Sequence, residues 1–527
     1  MPVDGPLPPS AENLMRVHTA RHGLRRALLR RAAYSTASQQ PWHVAIVGSG
    51  PAAFYAADQL LKNDPEVRVD FYEQLPVPFG LVRFGVAPDH QDVKTVTERF
   101  EQIERESKGR VSYAGNVHVG APGAGRPGQA SLELGTLREH YSAVLLAYGA
   151  ADDRTLGVPG EELAGVHAAR QFVEWYNGHP QAAGESFDLS RCETAVIVGN
   201  GNVALDCARV LAKSVDELAK TDIADHALAE LAGSQIRQVV LLGRRGVLQA
   251  AFTIKEFRAL TKLGGAVCSI EAPTGAFDVA VMEAAAADRA RKRMTELMKA
   301  SFAAYDGPAA RTAAGGVGTA EAEGRRVRVQ FQRSPVGFEG DVEGRLAAVH
   351  VDETSLVGEP GAQQKAVAIE GSTCSLPAQL CLRAVGYRST PLAGAPFDDK
   401  RGVVPNVGGV VTGDGDEARG LYVAGWLKRG PTGVILTNVG DAAETAAAIL
   451  RDRSAGALPE DASSSLSGAG KAGREGVAPL LAAQAAPVVD FGGWLRIDAE
   501  ERRRGAAKGK VRDKLVDVGE MLRVAAA

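Results

Sequence analysis

Gly48-x-Gly50-x-x-Ala53, within WHVAIVGSGPAAFYAADQLLKN, is a spacing that can hold a pyrophosphate. Gly48 permits a tight turn, Gly50 lets the backbone approach phosphate oxygens, and Ala53 allows a helix to pack closely on the preceding strand. The run VRVDFYE ends in Glu73, 25 residues after Gly48, where a carboxylate can accept hydrogen bonds from a ribose diol. The pattern returns 151 residues later as Gly199-Asn200-Gly201-Asn202-Val203-Ala204. Here the following apolar run, QVVLLGRR, ends in Arg244-Arg245 instead of an acid. A ribose 2′-phosphate would be repelled by a carboxylate but can be gripped in bidentate fashion by guanidinium groups. The first site therefore reads as one for FAD and the second as one for NADP(H). Gly199 and Arg244 are 45 residues apart, against an ordinary spacing of about 20. An acidic helical insert at 210–237 accounts for the excess.

These residues need strands and helices to aim them. Residues 44–47 form a short β-branched run, and Ala53, Ala56, Ala57, Leu60 and Leu61 follow it with helical spacing. Residues 195–198 repeat the strand, again followed by a helix, and each helix N-terminus presents unpaired N–H groups to phosphate. A late segment, GLYVAGWLKRGPTGVILTNVGDAAETAAAIL, reads as a strand at 421–424, a Gly/Pro loop and a helix starting near Gly433. It is expected to return to the first unit, with its helix N-terminus facing the flavin pyrimidine edge, where reduction builds negative charge. LLAYGA (145–150) and LRAVGYRS (382–389) read as crossover strands. The predicted fold is α/β, with two Rossmann-like dinucleotide-binding domains and the NADP domain inserted into a split FAD domain. The expected division is 1–40 as a leader, 41–148 and 388–527 as the FAD domain, and 149–387 as the NADP domain. A flexible insertion is expected at 452–486, with further Ala/Gly-rich insertions at 303–325 and 121–130.

Composition narrows the class. A chain of 527 residues with 45% hydrophobic and 23% charged residues is that of a multi-domain globular protein. Its net charge of −3 argues against wholesale nucleic-acid binding while permitting a local basic patch. No run of about 18 apolar residues exists to span a membrane. The five cysteines contain no C-x-x-C, which excludes a dithiol centre, a zinc ribbon or an iron–sulfur cluster of the chain's own and suggests a reducing compartment; no metal site is expected. Residues 1–40 carry six arginines against two acids and turn Ser/Thr/Ala-rich, the composition of a mitochondrial presequence, with cleavage expected near 33–36.

At QLPVPFGLVRFGVAPDHQDVK (74–94), and again at GGWLRIDAEERRRGAAKGKVRDKLVDVGEML, the sequence resembles the adrenodoxin reductase family of mitochondrial NADPH–ferredoxin reductases. The resemblance covers most of the chain from Trp42 onward. It implies that Ala52, Glu73, Leu81, Val117, Trp426 and the Gly433-Val434-Ile435 turn contact FAD, alongside Gly48 and Gly50. It likewise implies NADP contacts for Asn200, Gly201, Asn202, Val203, Arg244, Arg245, Glu256 and Gly433. His90 and Asp206 match a histidine and an aspartate near the flavin and are taken as modulators of catalysis. Arg258, Arg289 and Arg293 match ferredoxin-contacting positions, the last two lying in the basic run DRARKRMTELMK.

The expected activity passes electrons from NADPH through FAD, singly, to a small acidic [2Fe-2S] ferredoxin in the mitochondrial matrix, with at most peripheral membrane association. Competing readings are a flavin monooxygenase, a glutamate-synthase-like flavin subunit and a non-catalytic flavin/NADP-binding sensor. The second is disfavoured because residues 1–150 hold no cysteine. The C-terminal GKVRDKLVDVGEML reads as a short cap on the FAD domain with solvated charges.

Overall fold

The computed structural model describes residues 41–304, 324–413, 415–459 and 471–527. Two seven-stranded sheets dominate it. In the first, strands run in the order Asn406–Val407, Val410–Val411, Leu421–Val423, Ala143–Leu146, Trp42–Val47, Val67–Glu73 and Val111–Gly115. The last five pair in parallel, and the short 406–411 hairpin adds an antiparallel edge. In the second the order is Phe302–Ala304, Ala266–Ala272, Arg325–Phe331, Gln238–Gly243, Thr194–Val198, Leu380–Arg383 and Val166–Ala168, parallel throughout. Each sheet thus has a glycine-turn strand near its middle, with parallel neighbours on either side. Such strands are buried on both faces, as Val44, Ala45, Ile46, Ala195, Val196 and Ile197 are.

The first sheet takes strands from both ends of the described chain, and the second is built wholly from residues between them. The chain passes between the two where Asp152–Asp153 and Tyr387–Arg388 lie side by side as an antiparallel ribbon. A smaller antiparallel sheet, comprising Arg333–Gly340, Leu346–Val357, Lys365–Ala368 and Cys374–Pro377, packs on the second sheet. Its Phe338, Val349 and Val351 share a core with Val196, Val198, Val240 and Leu242.

Several local expectations are corrected. The late helix begins at Thr437, not near Gly433, because Gly433 holds φ +82° and residues 434–436 form a separate turn before it. The insert at 210–237 is the end of one helix followed by two short ones, Val215–Leu218 and Asp225–Ala232. Within 452–486, the helix Arg474–Ala482 buries Val477 and Leu481 in the first unit's core, so this part is built into the fold. The C-terminal charges are only partly solvated: Lys510, Asp513 and Lys514 are buried, whereas Asp517 is exposed. The predicted presequence and most of the 303–325 insertion lie outside the described residues. All five cysteines are free. No helix among the described residues is long and apolar enough to cross a membrane.

Candidate active site

The first glycine turn is shaped by a clash it avoids and a space it leaves open. Gly48 has φ +97°, and a Cβ there would stand 2.7 Å from the Ala147 carbonyl oxygen. At Gly50 a Cβ would meet nothing within 4 Å, so the backbone faces open space at the start of helix Pro51–Asn63. That open face beside a helix N-terminus fits a pyrophosphate. Glu73 braces the turn: Oε2 accepts from Ser49 N at 3.0 Å and from Ser49 Oγ at 2.7 Å, and Oε1 accepts from Leu75 N at 3.0 Å. Burial pushes its pKa up, against these bonds to the ionised form.

The segments bearing Leu81 and Trp426 approach this turn. Phe79 N donates to the Ser49 carbonyl at 3.0 Å, which folds the segment leading to Leu81 over the glycines. Gly425 comes so close that a Cβ on it would lie 2.8 Å from the Cβ of Ala52, so the late segment does return to the first unit. Next to it, Trp426 tilts against Tyr387 at 5.1 Å between ring centroids. Val117 is buried, whereas Gly433 and Val434 are exposed.

The second turn repeats the device. Gly199 has φ +135° and presses on the Ala384 carbonyl, while Gly201 again faces open space. Asn202 Oδ1 accepts from Thr253 N at 2.8 Å, which ties the turn to the helix Ile254–Thr261. The Asn200 side-chain oxygen is buried with no hydrogen-bond partner among the described residues. Arg244 and Arg245 follow strand Gln238–Gly243 directly, and both are exposed. Neither guanidinium is paired with another described residue. An orphaned amide, an open glycine face and two free guanidiniums fit a dinucleotide carrying an extra phosphate.

On the helix Asn202–Ala212 that follows the second turn, Asp206 meets His90 and Glu256, with ligand-type atoms within 4.8 Å of one another. Arg209 makes this a charge cluster and not a metal centre. Its guanidinium pairs with Asp89 through Nε and Nη2 at 2.9 Å each, and with Glu256 at 3.0 Å. A third carboxylate, Asp206, stands 2.8 Å away. Arg209 Nη2 also lies 3.4 Å from His90 Nδ1. A guanidinium can only donate, so Nδ1 carries the lone pair and the proton sits on Nε2, which faces Glu256 Oε2 at 3.5 Å. Burial and then Arg209 hold the His90 pKa below the ordinary histidine value. Burial pushes Asp206 up to about 7, opposed by Arg209 and aided by Glu256. Burial also disfavours ionised Asp89, but Arg209 and Lys213 outweigh it and hold that carboxyl far below the usual range. Glu256, expected among the NADP contacts, thus belongs also to the His90 group. Arg209 went unnoticed in the sequence, although a charged residue inside the apolar helical run NVALDCARVLA three positions after Asp206 is a readable signal.

Arg258, Arg289 and Arg293 are all exposed. Arg289 and Arg293 lie one turn apart on helix Arg289–Lys299, which Asp288 caps through Arg291 N at 2.7 Å. That helix packs against the helix bearing Arg258.

Comparison with known proteins agrees with this geometry. A family model described as "Pyridine nucleotide-disulphide oxidoreductase" matches residues 42–247. The mitochondrial NADPH:adrenodoxin oxidoreductase of Arabidopsis thaliana is 42% identical over 94% of this chain and 97% of its own. The Homo sapiens protein of the same name is 44% identical over 93% of each chain. The solved structure of Mycobacterium tuberculosis FprA in complex with NADPH superposes with a TM-score of 0.78 at 38% identity, covering 93% of this chain and all of that one. On these relationships, which span both nucleotide turns and the His90 cluster, the chain belongs to the NADPH:adrenodoxin oxidoreductase family.

Proposed function

We propose that this protein takes electrons from NADPH through FAD and delivers them one at a time to a small acidic [2Fe-2S] ferredoxin. The observation that carries the reading is the pair of open glycine turns on two sheets, one backed by Glu73 and the other followed by two unpaired arginines. Bound FAD supplies the chemistry the polypeptide lacks, accepting two electrons as hydride from nicotinamide and releasing them singly. The residues hold and shield. Gly48, Gly50 and Ala52 take the flavin pyrophosphate, with Leu81, Val117, Trp426 and the 433–435 turn enclosing the rest. Asn200 to Val203 and Gly433 receive the nicotinamide nucleotide, and Arg244 and Arg245 grip its 2′-phosphate. His90 keeps a proton on Nε2, and burial favours the neutral form of Asp206, so the cluster can take up or release a proton beside the nucleotide sites. The same reading divides the chain into an NADP unit at 149–387 inserted between FAD segments 41–148 and 388–527.

Electrons must leave to an outside carrier, and the exposed Arg258, Arg289 and Arg293 suit an acidic one. The basic, acid-poor residues 1–40 support import into the mitochondrial matrix. The deciding experiment records the flavin spectrum of the purified protein and compares NADPH with NADH in ferredoxin-dependent cytochrome c reduction. A yellow protein that prefers NADPH is expected, with Arg244→Ala/Arg245→Ala abolishing the preference. A protein that binds no flavin, or prefers NADH, would refute the reading.

A further inference from the structure

The turn that carries Arg244 and Arg245 is held from outside its own sheet. The Thr354 hydroxyl, buried on strand Leu346–Val357, donates to the Arg244 carbonyl at 2.7 Å. The next carbonyl, that of Arg245, accepts from Gln332 N at 3.1 Å. Gln332 and Thr354 are locked to each other: Thr354 N donates to the Gln332 carbonyl at 3.0 Å, and Gln332 Nε2 donates to the Thr354 carbonyl at 2.8 Å. Gln332 adopts φ +55°, a left-handed conformation that costs a residue with a Cβ and persists only where surrounding contacts enforce it. Beyond the arginines, Gly246 lies against Leu356 of the same strand, where a Cβ would stand 2.7 Å from Cδ1. The antiparallel sheet therefore fixes the backbone of both arginines while their guanidiniums stay free.

We propose that Thr354 and Gln332 are positioning residues for cofactor specificity, setting the preference for a nucleotide with a 2′-phosphate over one without. The proposal rests on the reading of Arg244 and Arg245 given above. Bidentate contact between a guanidinium and a phosphate tolerates displacements of only about 0.5 Å, so a loosened turn loses the phosphate contact first. Neither residue needs to touch the nucleotide.

The test uses flavin-loaded protein and calorimetric titration with adenosine 2′,5′-bisphosphate and with AMP, alongside KM values for NADPH and NADH. Thr354→Val removes the hydroxyl at nearly constant volume. It is expected to weaken the bisphosphate and raise the NADPH KM about tenfold, leaving AMP, the NADH KM and kcat at saturating NADPH within about twofold. Thr354→Ser, which keeps the hydroxyl, is expected to restore the bisphosphate affinity. An unchanged bisphosphate-to-AMP ratio in Thr354→Val, or equal weakening of both, overturns the proposal. Should Thr354→Val fail to fold, Gln332→Gly carries the test. It relieves the left-handed strain and removes the side-chain bond, so selectivity should fall severalfold without a lower Tm, and unchanged selectivity overturns the proposal. If Arg244→Ala/Arg245→Ala keeps its preference for the bisphosphate, the underlying reading fails. If that pair loses the preference while Thr354→Val and Gln332→Gly keep it, only the present inference fails.

Discussion

Arg209 is 1% exposed; its guanidinium donates to Asp89, Glu256 and His90 Nδ1, and a third carboxylate, Asp206, lies 2.8 Å from it. A guanidinium so placed cannot shed its charge, so its partners must stay anionic or accept hydrogen bonds. Replacing it with methionine would keep the volume but strand Glu256 without this counter-charge and leave Asp89 with Lys213 alone. A loss of about 3–5 kcal/mol is expected, read from chemical denaturation of the flavin-loaded protein. Asp206 gives a second prediction. With its pKa pushed up to about 7 from the ordinary aspartate value of 3.8, its neutral form is favoured in the native state. Its contribution to stability is therefore complete below about pH 4 and fades as pH rises through 7. His90 runs the opposite way: its lowered pKa favours the neutral ring, a contribution present above the ordinary histidine value and lost on acidification. A pH profile of kcat/KM for NADPH should show an inflection near 7 that Asp206→Asn removes; an inflection surviving in that variant would assign it elsewhere.

At the scale of the element, the two glycines of one turn should respond differently to the same added methyl. Gly48→Ala meets the Ala147 carbonyl at 2.7 Å in a left-handed conformation and should prevent folding of the first unit. Gly50→Ala meets no protein atom within 4 Å, so it should fold, yet fill the space a pyrophosphate needs. The measurement is flavin absorbance per chain: soluble Gly50→Ala is expected to be nearly colourless, and full flavin content in it would contradict the cradle. These turns were legible in the sequence because φ-permissive glycines followed by small residues state a backbone requirement that survives any tertiary context. The start of the helix at Thr437 was less legible, since Gly433 can serve equally as a helix entry or as a separate turn. Its φ of +82°, with Thr437 N returning to the Val434 carbonyl at 2.9 Å, decides for the turn. The buffering group at His90 was half legible. Its members are scattered over residues 89–256, and only packing reveals that Arg209 joins them.

Across the whole molecule, the stretch at 508–517 sits astride the two units. Lys514 is buried against Asp222 at 3.0 Å and donates to the carbonyls of Arg83 and Asn177 at 3.2 and 3.1 Å. Lys94 reaches the same carboxylate at 2.7 Å, and Arg512 joins Arg83 on the fully buried Glu501. No sequence rule pairs charges so far apart in the chain, so these residues read as a solvated tail. Lys514→Met should cost about 3–5 kcal/mol and split a single calorimetric transition into two as the units uncouple. Burial disfavours ionised Asp222, but Lys514 and Lys94 outweigh it and hold its pKa far down, so the carboxylate side of this coupling should persist above about pH 4. Burial also pulls the Lys514 ammonium well below the ordinary lysine value, so the coupling should weaken again toward alkaline pH. On the outer surface, Arg289→Glu/Arg293→Glu should slow ferredoxin association severalfold and flatten its salt dependence, with flavin reduction by NADPH unaffected. Stopped-flow traces at low and high ionic strength separate these effects.

The ribbon of Asp152–Asp153 and Tyr387–Arg388 is the one place among the described residues where the backbone crosses between the two nucleotide units, and Tyr387 is the residue whose ring leans on Trp426. Any swing of the NADPH-carrying half about that narrow stalk must drag a phenol across an indole that borders the flavin cradle. The emission of Trp426 should therefore report any such rotation as a built-in angle gauge.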